Sequence, residues 1–77
     1  MLTVKQKLQI ACIMHGITIE QWANEIGITQ EDLEFILSGI IKSTLIQMAI
    51  VDLIRTGFEK LKIWQYYKCD MDEFCNS

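Results

Sequence analysis

A chain of 77 residues makes one domain, near the lower limit of what folds without a covalent or metal staple. Its 51% hydrophobic and 22% charged composition excludes a disordered segment, and its odd count of 3 cysteines excludes a disulfide framework. The formal net charge of −3 counts against a general attraction to phosphate, and no apolar run approaches the ~18 residues that a membrane span needs.

The first predicted element is a helix over about 3–15. Thr3 with Gln6 forms a capping box, and His15 before Gly16 suits the negative end of the helix. Lys5 and Lys7 ahead of Leu8 to Met14 imitate a signal peptide. Gln9 interrupts that apolar stretch and no small-residue cleavage site comes after it, so it reads as a mature helix of a cytoplasmic protein. Leu8, Ala11 and Cys12 make an inward stripe. Ile10, Ile13 and Met14 make the other side apolar too, as in a helix wrapped by neighbours or facing a partner.

Gly16-Ile17-Thr18 then recurs as Gly27-Ile28-Thr29. Each glycine can take the left-handed backbone that ends a helix, and each threonine can cap the amides of the next. A second helix is therefore expected over about 18–26, with Trp22, Ala23 and Ile26 on one face. A third is expected over about 29–38, with Leu33, Ile36 and Leu37 inward. Two short helices joined by a tight glycine turn make a helix-turn-helix unit.

Gly39 ends the third helix, Ile40 to Ser43 connects, and Thr44 with Gln47 reads as a further capping box. In the long helical stretch from Thr44 onwards, Leu45, Met48, Ala49 and Asp52 share one face. Ile50, Leu53, Ile54, Gly57, Phe58, Leu61 and Trp64 trace a second stripe. Gly57 either breaks this region into helices at about 44–56 and 58–68 or bends a single one. The expected fold is all-α, a small four- or five-helix domain over 1–68 containing the helix-turn-helix, with a frayed acidic tail over 69–77.

Charge is unevenly spread. Glu20, Glu25, Glu31, Asp32 and Glu34 stand in residues 17–37 with no basic residue among them, so the helix-turn-helix is the acidic part of the chain. Lys42, Arg55, Lys60, Lys62 and Lys68 lie beyond it, and Lys42 is the candidate for a backbone contact. Ile54, Phe58, Leu61, Trp64 and Tyr67 are the candidate dimer interface, because an apolar aromatic strip on a late helix commonly pairs with its twin. Cys69 and Cys75 bracket acids but have no second pair to complete a tetrahedral metal site. No nucleophile-and-base pair, phosphate-cradling loop or poised carboxylate pair is recognisable. The expectation is a non-enzyme without cofactor, metal, membrane attachment or small-molecule substrate.

The run from Gly16 to Gln30, continuing through Leu33, Ile36, Leu37, Ser38 and Gly39, resembles the lambda-repressor/Cro (Xre-type) helix-turn-helix family. Ala23 matches the small residue where the two helices cross, Gly27 the turn and Ile28 the apolar residue after it. The resemblance covers roughly residues 3–56 and implies that Thr29, Gln30, Glu31, Asp32, Glu34 and Phe35 contact DNA or a partner. Two departures are plain. Ile19 replaces the glutamine that often holds a phosphate, and acids replace most of the usual polar or basic readers. The resemblance implies a regulatory DNA-binding protein, acting as a dimer, of the kind found in phages and mobile elements. The alternative is a scaffold that has lost DNA binding. It would act through its acidic third helix on a basic protein surface, as an antirepressor or modulator of a host regulator.

Overall fold

In the computed structural model, which describes residues 2–75, Thr3, Thr18 and Thr29 each cap a helix as expected. Thr3 Oγ1 accepts from the Gln6 amide at 3.1 Å while Gln6 Oε1 accepts from the Thr3 amide at 2.9 Å. Thr18 and Gln21 repeat the box at 3.0 and 2.9 Å, and Thr29 Oγ1 accepts from the Asp32 amide at 3.0 Å. These caps open α1 (Val4–Met14), α2 (Ile19–Glu25) and α3 (Gln30–Leu37). Beyond them come α4 (Thr44–Lys60) and a single-turn α5 (Asp72–Cys75). The fold is all-α, with no strand among the described residues.

The helices also end alike. After α1, the Ile17 amide reaches back to the Cys12 carbonyl at 3.0 Å and the Gly16 amide to the Ile13 carbonyl at 3.0 Å, with Gly16 at φ 72°. After α2, Ile28 bonds Ala23 at 3.0 Å and Gly27 bonds Asn24 at 3.2 Å, with Gly27 at φ 86°. Both are the paired back-bonds that satisfy a helix's last carbonyls, and they need a left-handed residue that glycine supplies without strain. α4 closes the same way without a glycine. Ile63 bonds the Phe58 carbonyl at 3.0 Å, Lys62 bonds Glu59 at 3.1 Å, and Lys62 itself sits at φ 60°.

That closure corrects the expected helix over 58–68, since the chain turns away at residues 61–62. Gly57 neither breaks nor ends α4. A Cβ there would stand 3.0 Å from both Cα and Cβ of Ala11, so the bare backbone is what lets α1 lie close to α4. The capping box at Thr44 is likewise absent: Thr44 is already helical, and Ser43 precedes it without a side-chain cap bond.

Leu8, Ala11 and Cys12 of α1, Trp22 and Ala23 of α2, and Leu33 and Ile36 of α3 close over Ile50, Ile54 and Phe58 of α4. Cys69 and Phe74 complete this core, which corrects the frayed tail as far as residue 75. The segment is held because it buries those two apolar side chains and supplies partners for Lys7. The Lys7 ammonium, on a residue only 5% exposed, donates to the Lys68 carbonyl at 2.7 Å and to Glu73 Oε1 at 2.8 Å. A buried ammonium needs that pairing to be tolerated at all. Residues 76–77 of the expected tail lie outside the described residues.

Candidate functional site

α3 is pinned from beneath and free above. Leu33 and Ile36 enter the core, while Thr29, Gln30, Glu31 and Asp32 are exposed along its first turn. The Thr29 hydroxyl is engaged in the cap, so the outward chemistry is that of Gln30, Glu31 and Asp32. Glu34 is half-buried and pairs with Lys5 Nζ of α1 at 3.0 Å. Phe35 is half-buried, and its carbonyl gathers the Ser38 hydroxyl at 3.1 Å and the Ile40 amide at 2.9 Å. The six residues expected to make contact thus divide into an exposed N-terminal rim and two that brace the helix. Among the described residues, the side chains of Glu31 and Asp32 make no ion pair, so only the positive end of α3 complements their exposed charge.

The basic residues do not gather opposite this rim. Lys42 is exposed in the connector after α3. Arg55 is occupied by Asp52 at 2.6 Å and Glu59 at 3.9 Å on its own helix. Lys60 lies 3.4 Å from His15 Nδ1, and His15 Nε2 lies 3.1 Å from Thr56 Oγ1. Thr56 already donates to the Leu53 carbonyl at 3.0 Å, so it accepts from Nε2–H and leaves Nδ1 to accept from Lys60. His15 is a strut between the end of α1 and α4.

The candidate dimer residues separate. Ile54 and Phe58 are fully buried in the protein's own core and present no surface, because α4 turns that face onto α1. Trp64 is half-buried against the same core, whereas Leu61 and Tyr67 are exposed. The most exposed large apolar side chains are Leu45 and Met48 of α4, Ile13 of α1, Ile40 of the connector and Tyr66 beyond α4. For Leu45 and Met48 the signal was present in the sequence: they share a helix face with charged Asp52, opposite the Ile50, Ile54 and Phe58 stripe.

Neither described buried thiol is disposed to react. Burial pushes the Cys69 thiol up to about 12; the charge of Glu73 and a hydrogen bond to it add to this, against the pull of Lys7. Burial raises the Cys12 thiol as well. A thiol held protonated is a poor nucleophile and metal ligand. Among the described residues no group of three His, Cys, Asp or Glu could hold a metal ion, and no helix is long and apolar enough to cross a membrane. No protein-family model, curated protein or solved structure matches the chain.

Proposed function

We propose that this chain is a small cytoplasmic helix-turn-helix regulator of lambda-repressor/Cro type that binds DNA as a dimer, laying the first turns of α3 in the major groove. One observation carries the reading. α3 leaves the Gly27 turn capped by Thr29 and presents Gln30, Glu31 and Asp32 to solvent while Leu33 and Ile36 fix it from behind. Gln30 suits a bidentate contact to adenine, and a carboxylate can accept from the amino group of cytosine. Lys42, exposed beyond the far end of α3, is the available phosphate contact.

A second reading is favoured by the unpaired charge of Glu31 and Asp32, which phosphate would repel. On that reading the same face docks on a basic protein surface, one that itself meets DNA. A labelled-duplex shift at low and rising salt decides between them. The DNA reading expects a shifted duplex whose affinity drops steeply with salt. Absence of any shift at low salt, with saturable binding to a basic DNA-binding protein, overturns it in favour of the second.

A further inference from the structure

A cavity of about 450 Å³ opens between the start of α1 and the segment that follows α4, lined by Leu2, Lys7, Tyr66, Tyr67, Lys68 and Glu73. That volume falls within the range of small-ligand sites. Its walls are held in place. The amides of Tyr66 and Tyr67 both donate to the Ile63 carbonyl, at 3.0 and 3.1 Å, and the buried Lys7 ammonium holds the Lys68 carbonyl at 2.7 Å. Tyr66 and Tyr67 still leave 72% and 46% of their surface exposed.

The side-chain groups left open around this cavity are donors. Glu73 is its carboxylate, and that group is already engaged. It accepts from Lys7 Nζ at 2.8 Å, from the Asp70 amide at 3.0 Å and from the Cys69 thiol. Lys7 uses two of its three ammonium hydrogens, on Glu73 and on the Lys68 carbonyl, and keeps one. Among the described residues the Lys68 ammonium has no ion pair, and neither tyrosine hydroxyl has a hydrogen-bond partner. Lys7 and Lys68 set against Glu73 leave one positive charge in excess. Open donors with one surplus positive charge suit an acceptor that carries a single negative charge. The two phenol rings and Leu2 offer apolar faces, so the rest of the occupant is flat and apolar. A phosphate monoester would bring a second negative charge that no cation meets. An uncharged ring would gain nothing from Lys68, and an amine would meet only donors.

We propose that this cavity binds a small aromatic monocarboxylate, its ring against Tyr66 and Tyr67 and its carboxylate on Lys68 and the remaining Lys7 hydrogen. This requires neither DNA binding nor dimerisation. Benzoate titrated into the isotope-labelled full chain near neutral pH, followed through its amide NMR shifts, tests it. The amides of Tyr66, Tyr67 and Lys68 should move saturably, with a dissociation constant on the order of 1 mM or tighter. Benzamide keeps the ring and lacks the charge, and should bind about tenfold more weakly. Lys68→Gln should weaken benzoate by about the same factor, and Tyr66→Ala by about fivefold through the lost ring contact. Lys68 and Tyr66 are exposed, so unmoved shifts at Leu33 and Ile50 of the core should report an intact fold in both variants. Absence of saturable shifts with benzoate on the order of tens of millimolar overturns the proposal. So does benzamide binding as tightly as benzoate, either variant binding benzoate as the wild type does, or shifts centred away from the cavity. A single-stranded oligonucleotide that moves these amides where benzoate does not would also overturn it, and would assign the tyrosines to nucleic acid.

Discussion

Lys7 and Glu73 meet at 2.8 Å although 66 residues separate them, and their contact draws the last turn of the chain onto α1. Lys7→Ala leaves the Lys68 carbonyl and the Glu73 carboxylate without their shared donor. The expected loss is about 2 kcal/mol by urea unfolding, below the ~3–5 kcal/mol of a fully enclosed pair because Glu73 keeps part of its surface in water. Burial pushes the Glu73 carboxyl up, but the hydrogen bonds from Lys7 and the Asp70 amide and the Lys7 charge outweigh it and leave it below its ordinary value. A carboxyl lowered on folding contributes stability that is present above its unfolded value, near pH 4.5, and lost as pH falls through the folded value. Glu73→Gln should flatten that acid limb. An unchanged limb in the variant would assign it to other carboxylates.

Cys69 contributes at the opposite end of the pH scale. Its thiol titrates near 9.0 when unfolded and is raised to about 12 when folded, so the native state holds the proton more tightly. The contribution is complete below pH 9.0 and is lost as pH rises towards 12. Cys69→Ala should lose less stability than wild type across that interval, a difference that cancels the tyrosines and lysines titrating in both. The native thiol should also react with a disulfide reagent at about pH 8 only as fast as the tail opens. Reaction at the rate of a free thiol would contradict its enclosure.

Gly57→Ala opposes two effects. Alanine gains up to ~1 kcal/mol of helix propensity over glycine. Its methyl, however, meets Ala11 Cα and Cβ at 3.0 Å, and overpacking of a close helix pair costs ~1–3 kcal/mol. Net destabilisation is expected, and Gly57→Val should be worse. A rise in melting temperature for Gly57→Ala would show that α1 and α4 can separate without loss.

Lys62 occupies the left-handed position that glycine fills at the ends of α1 and α2. A left-handed conformation costs an L-residue roughly 1–2 kcal/mol, and the extra chain entropy of glycine offsets part of the gain. Lys62→Gly should therefore stabilise by about 0.5–1 kcal/mol in thermal or urea melts. Destabilisation would mean that the lysine side chain contributes more than its backbone loses.

Glu31→Gln with Asp32→Asn removes two unpaired charges from the exposed rim of α3 without touching the core. If α3 approaches DNA, duplex affinity should rise about tenfold or more at low salt, with fold stability within ~0.5 kcal/mol of wild type. If α3 docks on a basic protein, the same change should weaken that complex and its salt dependence together. No change in either complex would remove α3 from the interface.

The first three helices were legible to within a residue, because Thr3, Thr18 and Thr29 cap through bonds three residues long and Gly16 and Gly27 close through bonds of three to five. Local signals of that kind are written in neighbouring letters. The end of α4 was not legible, since a lysine does there what a glycine would announce. The packed tail was hidden for another reason: the burial of Cys69 and Phe74 depends on Lys7 at the far end of the chain, and no spacing rule joins them. The exposed rim of α3 came from helical periodicity, whereas Ile54 and Phe58 were misplaced because an apolar stripe looks the same whether it packs inwards or outwards.

The buckle between α1 and α5 also bears on how the protein is made. Synthesis proceeds from α1 towards residue 75, so the Lys7 ammonium leaves the ribosome long before the carbonyl and carboxylate that will receive it. Until those arrive, the early helices can gather only loosely, with an edge of the interior still open to water. Completion of this fold thus waits for residues 68–73, and closing it joins groups 66 positions apart, a non-local contact of the kind that slows folding.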